Sequence, residues 1–342
     1  MLDTRGARRL AAGIPENARL HVVTGKGGTG KTTVAASLAL ALASGGNRVL
    51  LVEVEGRQAF AQLFDVPALP YAEQQLAHAP GGGDVYGLAI DPEQAFIDYL
   101  DMFYNMRRSA RALNKIGLID FVTTLAPGVR DVLLTGKVKE AALRAGTHGG
   151  YAYDAVVLDA PPTGRIRPFL QATAEVANLA KVGPINRQSK GVIDLLHSER
   201  TVIHLVALPE EMPVQETLEA AKELTEAKFH LGAIIVNRTR PDLVRGEQVS
   251  PSGLVDTESL QRGLATTSVD PALAQDLARQ LSRYARYHQQ QWRNIQLLQA
   301  IGRPILSLPD LAIGVTAGEL HELSQYFLAT ENASEEPAQA SA

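Results

Sequence analysis

A chain of 342 residues, 45% hydrophobic and 20% charged, has the composition of a globular protein and exceeds the length at which one core usually stops growing. Its formal charge of −4 excludes a global attraction for nucleic acid or anionic membrane, and no apolar run approaches the roughly 18 residues of a membrane span. The absence of cysteine removes disulfides, thiolate zinc sites, iron–sulfur ligation and cysteine nucleophiles together.

At the amino terminus Arg5, Arg8 and Arg9 are followed by no apolar stretch, which does not read as a secretory signal and places the protein in the cytoplasm. Residues 1–18 are expected to be flexible. From "LHVVT" (20–24) onward, short β-branched runs alternate with helical patterns: "VAASLALALAS" (34–44) reads as a helix, "RVLLVEV" (48–54) and "VYGLAI" (85–90) as strands. Between Pro92 and Gly149 the texture is helical, with Phe96, Leu100, Phe103, Arg107, Ile116, Ile119 and Val122 at spacings near a helical turn. Strands resume at "AVVLDA" (155–160), "TVIHLVAL" (201–208), "LGAIIVN" (231–237) and "PILSLP" (304–309). Residues 240–268 read as a loop, and Leu273, Leu277, Leu281, Tyr284 and Ile295 mark a long amphipathic helix. The last twelve residues, 331–342, are polar, acidic and expected to be disordered.

This alternation predicts an α/β fold with a mostly parallel, doubly wound sheet over residues 19–330. A helical subdomain is inserted at about 93–150, with 165–200 a candidate extension.

The segment "GKGGTGKT" (25–32) fits G-x-x-x-x-G-K-[ST], after a buried strand and before a helix, as the phosphate loop of an NTPase requires. Gly25, Gly27, Gly28 and Gly30 let the N–H groups of Lys26, Thr29, Lys31 and Thr33 close around phosphate oxygens. Lys31 is placed to bridge the terminal phosphates, and Thr32 to ligate Mg²⁺. Four apolar residues ending in Asp159 supply a carboxylate where Mg²⁺ is held. The loop carries a second lysine, Lys26, with no evident partner in the sequence. It is either a solvated surface charge or a group that reaches a phosphate in a facing subunit.

"KGGTGKTT" resembles the deviant Walker A loop of the superfamily that holds nitrogenase iron protein, the partitioning ATPases, and the ArsA and tail-anchored-protein-targeting ATPases. That resemblance implies ATP as nucleotide, a nucleotide-sandwich dimer, and Lys26 crossing to the partner's phosphates. "VVLDAPPTGRIRPFL" (156–170) resembles switch II of the ArsA and guided-entry branch, with Asp159, Pro162, Thr163, Gly164 and Arg167 retained. "LAIDPEQAFIDYL" (88–100) and "PVQETLEAAKEL" (213–224) resemble the same branch, and "IIVNR" (234–238) its strand ending in an adenine-contacting asparagine, here Asn237. "VLLVEVEGRQAFAQLFDVP" (49–67), "YLDMFYN" and "APGVRDVLLTGKVKE" look like the shorter of two adjacent paralogues found among actinobacterial anion-transporting ATPases. The implied partner is therefore a second copy or a paralogue from an adjacent gene, and the implied client an apolar protein or a membrane-associated partner.

Two positions depart from that branch. Its switch I aspartate, which orients the attacking water, is replaced by Glu55 within "EGRQ" (55–58), and Glu53 or Gln58 are the alternatives for holding that water. Arg165 stands where switch II usually carries histidine. Without cysteine, neither a thiolate arsenite site nor a zinc clamp between subunits can form. The expected activity is a Mg²⁺-dependent, dimer-gated ATPase; the alternative is a nucleotide-sensing scaffold with little turnover.

Overall fold

The computed structural model describes residues 9–104, 127–147, 149–179, 184–244, 249–311 and 314–329. The expected helical positions Arg107, Ile116, Ile119 and Val122 and the tail 331–342 lie outside the described residues. Among the described residues, β1 (Leu20–Gly25), β2 (Arg48–Glu53), β3 (Gln74–His78), β4 (Asp84–Ala89), β5 (Ala155–Asp159), β6 (Thr201–Ala207), β7 (Leu231–Thr239) and β8 (Ile305–Pro309) form one sheet. The order is β3-β4-β2-β5-β1-β6-β7-β8, with every neighbouring pair parallel except β3 and β4.

All seven strands expected from apolar runs are present, and β3 is the addition. Its sequence, QQLAH, buries only Leu76, so an edge strand of this kind leaves no apolar run to read. The central strands are covered on both faces. Alternate residues of β1 enter different cores, Leu20 and Val22 on one side and Val23 on the other.

Ten helices fill the two layers among the described residues: α1 (Lys31–Ala43), α2 (Ala59–Leu63), α3 (Pro92–Tyr104), α4 (Pro127–Leu143), α5 (Thr163–Leu179), α6 (Pro184–Leu196), α7 (Glu211–Glu226), α8 (Thr257–Leu264), α9 (Ala274–Leu298) and α10 (Ala317–Gln325). Helix α1 is buried continuously from Val34 to Ala43, between the sheet and α10. Its alternation of alanine and leucine suits a helix with no solvent face, because small side chains allow close approach to the strands. On the opposite face, α4 packs against α3, α5 and α6. That group shares a core with β2, β4 and β5 through Leu134, Val138, Ile166, Phe169 and Val192.

Three segments differ from the sequence pattern. Residues 9–18 are packed rather than flexible: Ile14 is buried, Ala11 donates to the Phe327 carbonyl and Ala233 to that of Gly13. Backbone pairing, which leaves no mark in side-chain periodicity, fixes this stretch. Within the expected loop 240–268, α8 forms although it buries no residue, its first N–H groups capped by Asp256 at 3.1 and 3.2 Å. In α9 the buried residues are Ala274, Ala278, Ser282, Ala285, Gln291, Asn294 and Leu298, while Leu273 is exposed and Leu277 and Leu281 only half-buried. Gln291 bonds both backbone groups of Arg240, and Asn294 donates to the Pro209 carbonyl. The helix therefore faces inward with amides because it satisfies the loops after β6 and β7.

At the amino-terminal end of the sheet, the buried Arg19 guanidinium donates to the carbonyls of Ala142, Tyr153 and Asp154 and lies 3.9 Å from the Tyr151 ring centroid. Nearby, Glu73 accepts from Arg144 through both oxygens and from the Tyr153 hydroxyl. Burial alone would raise the Glu73 carboxyl, but these bonds hold it below the usual carboxylate range. In mid-sheet, His21 of β1 and His204 of β6 stack with ring centroids 5.4 Å apart and nitrogens at 3.1 Å. Burial pushes both down, His204 to about 4.

Candidate nucleotide site

The phosphate loop leaves β1 at the centre of the sheet, where β5 and β6 flank it on opposite sides. This is the switch point at which open parallel sheets bind ligands beyond their carboxyl ends. Two glycines are required there. A Cβ on Gly25 would lie 2.2 Å from the Val206 carbonyl oxygen. Gly30 has φ +85°, and a Cβ would lie 2.3 Å from Asn237 Nδ2. Gly27 and Gly28 are exposed, which leaves the rim of the loop open to a ligand.

Within the loop the Lys26 carbonyl accepts from Thr29 Oγ1 at 2.9 Å and from Lys31 Nζ at 3.3 Å, so Lys31 is folded back over the cradle. Burial lowers the Lys31 pKa, opposed by Asp159 and Glu55. Lys26 behaves differently. It does have a partner, Glu216 of α7, at 2.6 Å, with side chains 32% and 34% exposed. A pair so open to water is weakly held, worth on the order of 0–1 kcal/mol.

Asp159 ends β5 beside this cradle and accepts from the Thr32 hydroxyl at 2.7 Å. Thr33 lines a cavity of about 200 Å³ together with Gly28, Gly30, Asn237 and Arg238. The Asp159 carboxyl is pushed up to about 6, first by burial and further by Glu53 and Glu55, against the opposing effects of Thr32 and Lys31. Glu53 is the residue in register with Asp159 on β2, and only 2% of its surface is exposed. One oxygen of each carboxylate, Asp159 Oδ1 and Glu53 Oε1, has no partner among the described residues. Two buried acids with unspent acceptor oxygens beside a threonine hydroxyl fit a hard, oxygen-seeking divalent cation such as Mg²⁺.

Glu55 is half-buried and paired with the exposed Arg57 at 3.3 Å. Gln58, one alternative for holding the water, is committed elsewhere. Its backbone is left-handed at φ 54°, and its amide exchanges two bonds with the backbone of Leu69. Glu53 gives one oxygen to the Ala59 N–H at the start of α2.

Switch II is braced from both sides. The Thr24 hydroxyl donates to the Pro161 carbonyl at 2.7 Å, which fastens the loop to the end of β1. Gly164 is exposed in the first turn of α5. Arg165 reaches Asp131 of α4 at 3.5 Å, so the histidine replacement forms a link to the helical group. Asn237 donates to the Thr29 carbonyl at 2.9 Å and accepts from the Arg238 N–H. Its amide retains one further donor and one acceptor site. Arg238 itself is left-handed at φ 59° and pairs with Asp310.

Sequence reasoning brought Lys31, Thr32, Asp159 and Asn237 to one place but missed the partners Glu216 and Asp131. Strand register places Glu53 beside Asp159, and register cannot be read from either strand alone.

The model of the family described as anion-transporting ATPase matches residues 18–197 and 177–251. The chain is 52% identical to ATPase BagA of Mycobacterium tuberculosis over 333 residues, covering 95% of this chain and 98% of that protein. It is 25% identical to an arsenical pump-driving ATPase of Acidiphilium multivorum, over 74% of this chain and 46% of that one. It is also 25% identical to ATPase GET3 of Kluyveromyces lactis, over 63% and 70%. No helix among the described residues is long and apolar enough to cross a membrane. The chain belongs to the anion-transporting ATPase family and is an ATPase.

Proposed function

We propose that this ATPase is Mg²⁺-dependent and gated by dimerisation, and that its cycle binds and releases an apolar protein or membrane-associated client from the cytoplasm. The observation that carries the reading is the division of labour between the two loop lysines. Lys31 lies over its own cradle, whereas Lys26 is held by a weak, solvent-open pair on α7 and is free to be exchanged for a phosphate across a subunit boundary. Mg²⁺, when bound, neutralises charge on the phosphates. Thr32 and Asp159 hold it, the loop N–H groups fix the phosphate chain, and Asn237 orients the base. Glu55 leaves Arg57 to orient the attacking water.

Movement of switch II is passed to α4 through Arg165 and Asp131, and the helices α3 to α6 make up the subdomain that answers it. The partner is a second copy or a paralogue.

Steady-state ATP turnover with Mg²⁺, measured across protein concentration with and without the adjacent paralogue, tests this. Turnover per subunit should rise with concentration and fall about 10³-fold in Lys26→Ala, the scale of charge supplied in trans. One observation favours a second reading, a nucleotide-sensing scaffold: Glu55 is longer than the usual aspartate and tied to Arg57, and Gln58 is spent on Leu69. Tight nucleotide binding with no turnover above a Lys31→Ala control would establish the scaffold instead.

A further inference from the structure

Glu53 has two features that a structural role does not explain together. Its Oε2 accepts the Ala59 N–H at 3.1 Å, which holds the first turn of α2 and thereby the 55–58 loop. Its Oε1 is buried with no partner among the described residues, and only 2% of the residue is exposed. A buried carboxylate oxygen left empty is costly. The cost is compounded because Glu53 is in register with Asp159, whose Oδ1 is likewise buried and empty. A helix cap alone would be served by a neutral acceptor, with no second charge placed beside Asp159.

We propose that Glu53 is a positioning residue for the metal: its Oε1 accepts from a water on the Mg²⁺ held by Thr32 and Asp159, while its Oε2 ties that cation to the loop carrying Glu55. This rests on the Mg²⁺-dependent reading above and deepens it. It assigns to one side chain the coupling between the arrival of the cation and the order of the 55–58 segment. It also explains the apo cost, because the two orphaned oxygens are satisfied together only when a cation and its water shell are present.

Glu53→Gln separates the roles, because glutamine keeps the size and an acceptor for the Ala59 N–H while removing the charge and one acceptor oxygen. It also places an amide donor beside Asp159 Oδ1. In the full chain, the Mg²⁺ concentration that half-saturates the fluorescence change of a bound fluorescent ATP analogue should rise about 10–100-fold. Affinity for the analogue in EDTA should be unchanged, and the melting midpoint without nucleotide or metal should rise. Wild-type Mg²⁺ dependence in Glu53→Gln overturns the assignment. So does loss of apo stability together with loss of Mg²⁺ affinity, since collapse of the 55–58 loop then accounts for both. If Glu53→Gln does not fold, Glu53→Asp tests the Mg²⁺ dependence alone: the charge is kept but withdrawn from the water, and wild-type Mg²⁺ dependence again overturns the assignment. A wild type whose nucleotide binding ignores Mg²⁺ sinks the metal-dependent reading itself, so the two failures are distinguishable.

Discussion

The two ends of the sheet treat buried polar groups in opposite ways. At the amino-terminal end, Arg19 gives its terminal nitrogens to three carbonyls, with Nε alone left without a partner among the described residues, and Glu73 is filled by Arg144 and Tyr153. At the carboxyl end, Asp159 and Glu53 each keep an empty oxygen, and Lys26 holds only a solvent-open partner. The satisfied carboxylate at one end braces the fold; the two with an empty oxygen at the other are placed to take a ligand. The first kind of site should therefore govern stability with little effect on nucleotide, and the second the reverse.

The sharpest break in that contrast would come from the loop lysines. Lys26→Ala should lose about 10³-fold in turnover, equivalent to about 4 kcal/mol of barrier, with an unchanged melting midpoint. A drop in midpoint of several degrees would mean that the Lys26–Glu216 pair is part of the fold. At the other end, Arg19→Ala strips donors from three carbonyls and should cost about 3 kcal/mol in urea unfolding. Nucleotide affinity of the folded protein should not move.

The histidine pair lies between the two ends and tests the rule by pH. His204 is depressed from 6.5 to about 4 by burial, and His21 is lowered by burial and by His204. Folding therefore favours the neutral rings. Their stabilisation is complete above 6.5 and is lost as pH falls from 6.5 toward 4, where the unfolded chain binds protons that the folded one refuses. The loss from His204 is on the order of 3 kcal/mol, and a flatter pH slope of unfolding in His204→Gln would verify its origin.

Smaller effects refine the comparison. Glu55→Gln should lower turnover about 10²-fold while leaving nucleotide binding intact, if water placement depends on that carboxylate. Arg144→Ala should cost about 1 kcal/mol, because the guanidinium is 32% exposed and its attraction for Glu73 and Glu140 is screened by water. A larger loss, read from the same urea titration, would show that this network is more than a surface brace.

What the sequence by itself determined was local: the glycine loop between a buried strand and a helix, the seven apolar strands, and Asp159 at the end of one of them. Each of these is written in neighbouring residues, as a run, a period or a fixed spacing. Strand β3 and helix α8 were invisible because an edge strand buries one side chain and a capped surface helix buries none. The amphipathic helix α9 was legible, and Ile295 packs on the apolar core beside Leu298, but the part of its inward face made by Gln291 and Asn294 was not, because those amides serve loop carbonyls and N–H groups. Only the tertiary structure decided that Glu53 stands beside Asp159, that Lys26 meets Glu216 and that Arg165 meets Asp131. Those pairs join residues 106, 190 and 34 positions apart, and a charge in a linear pattern carries no record of which distant element will be folded against it.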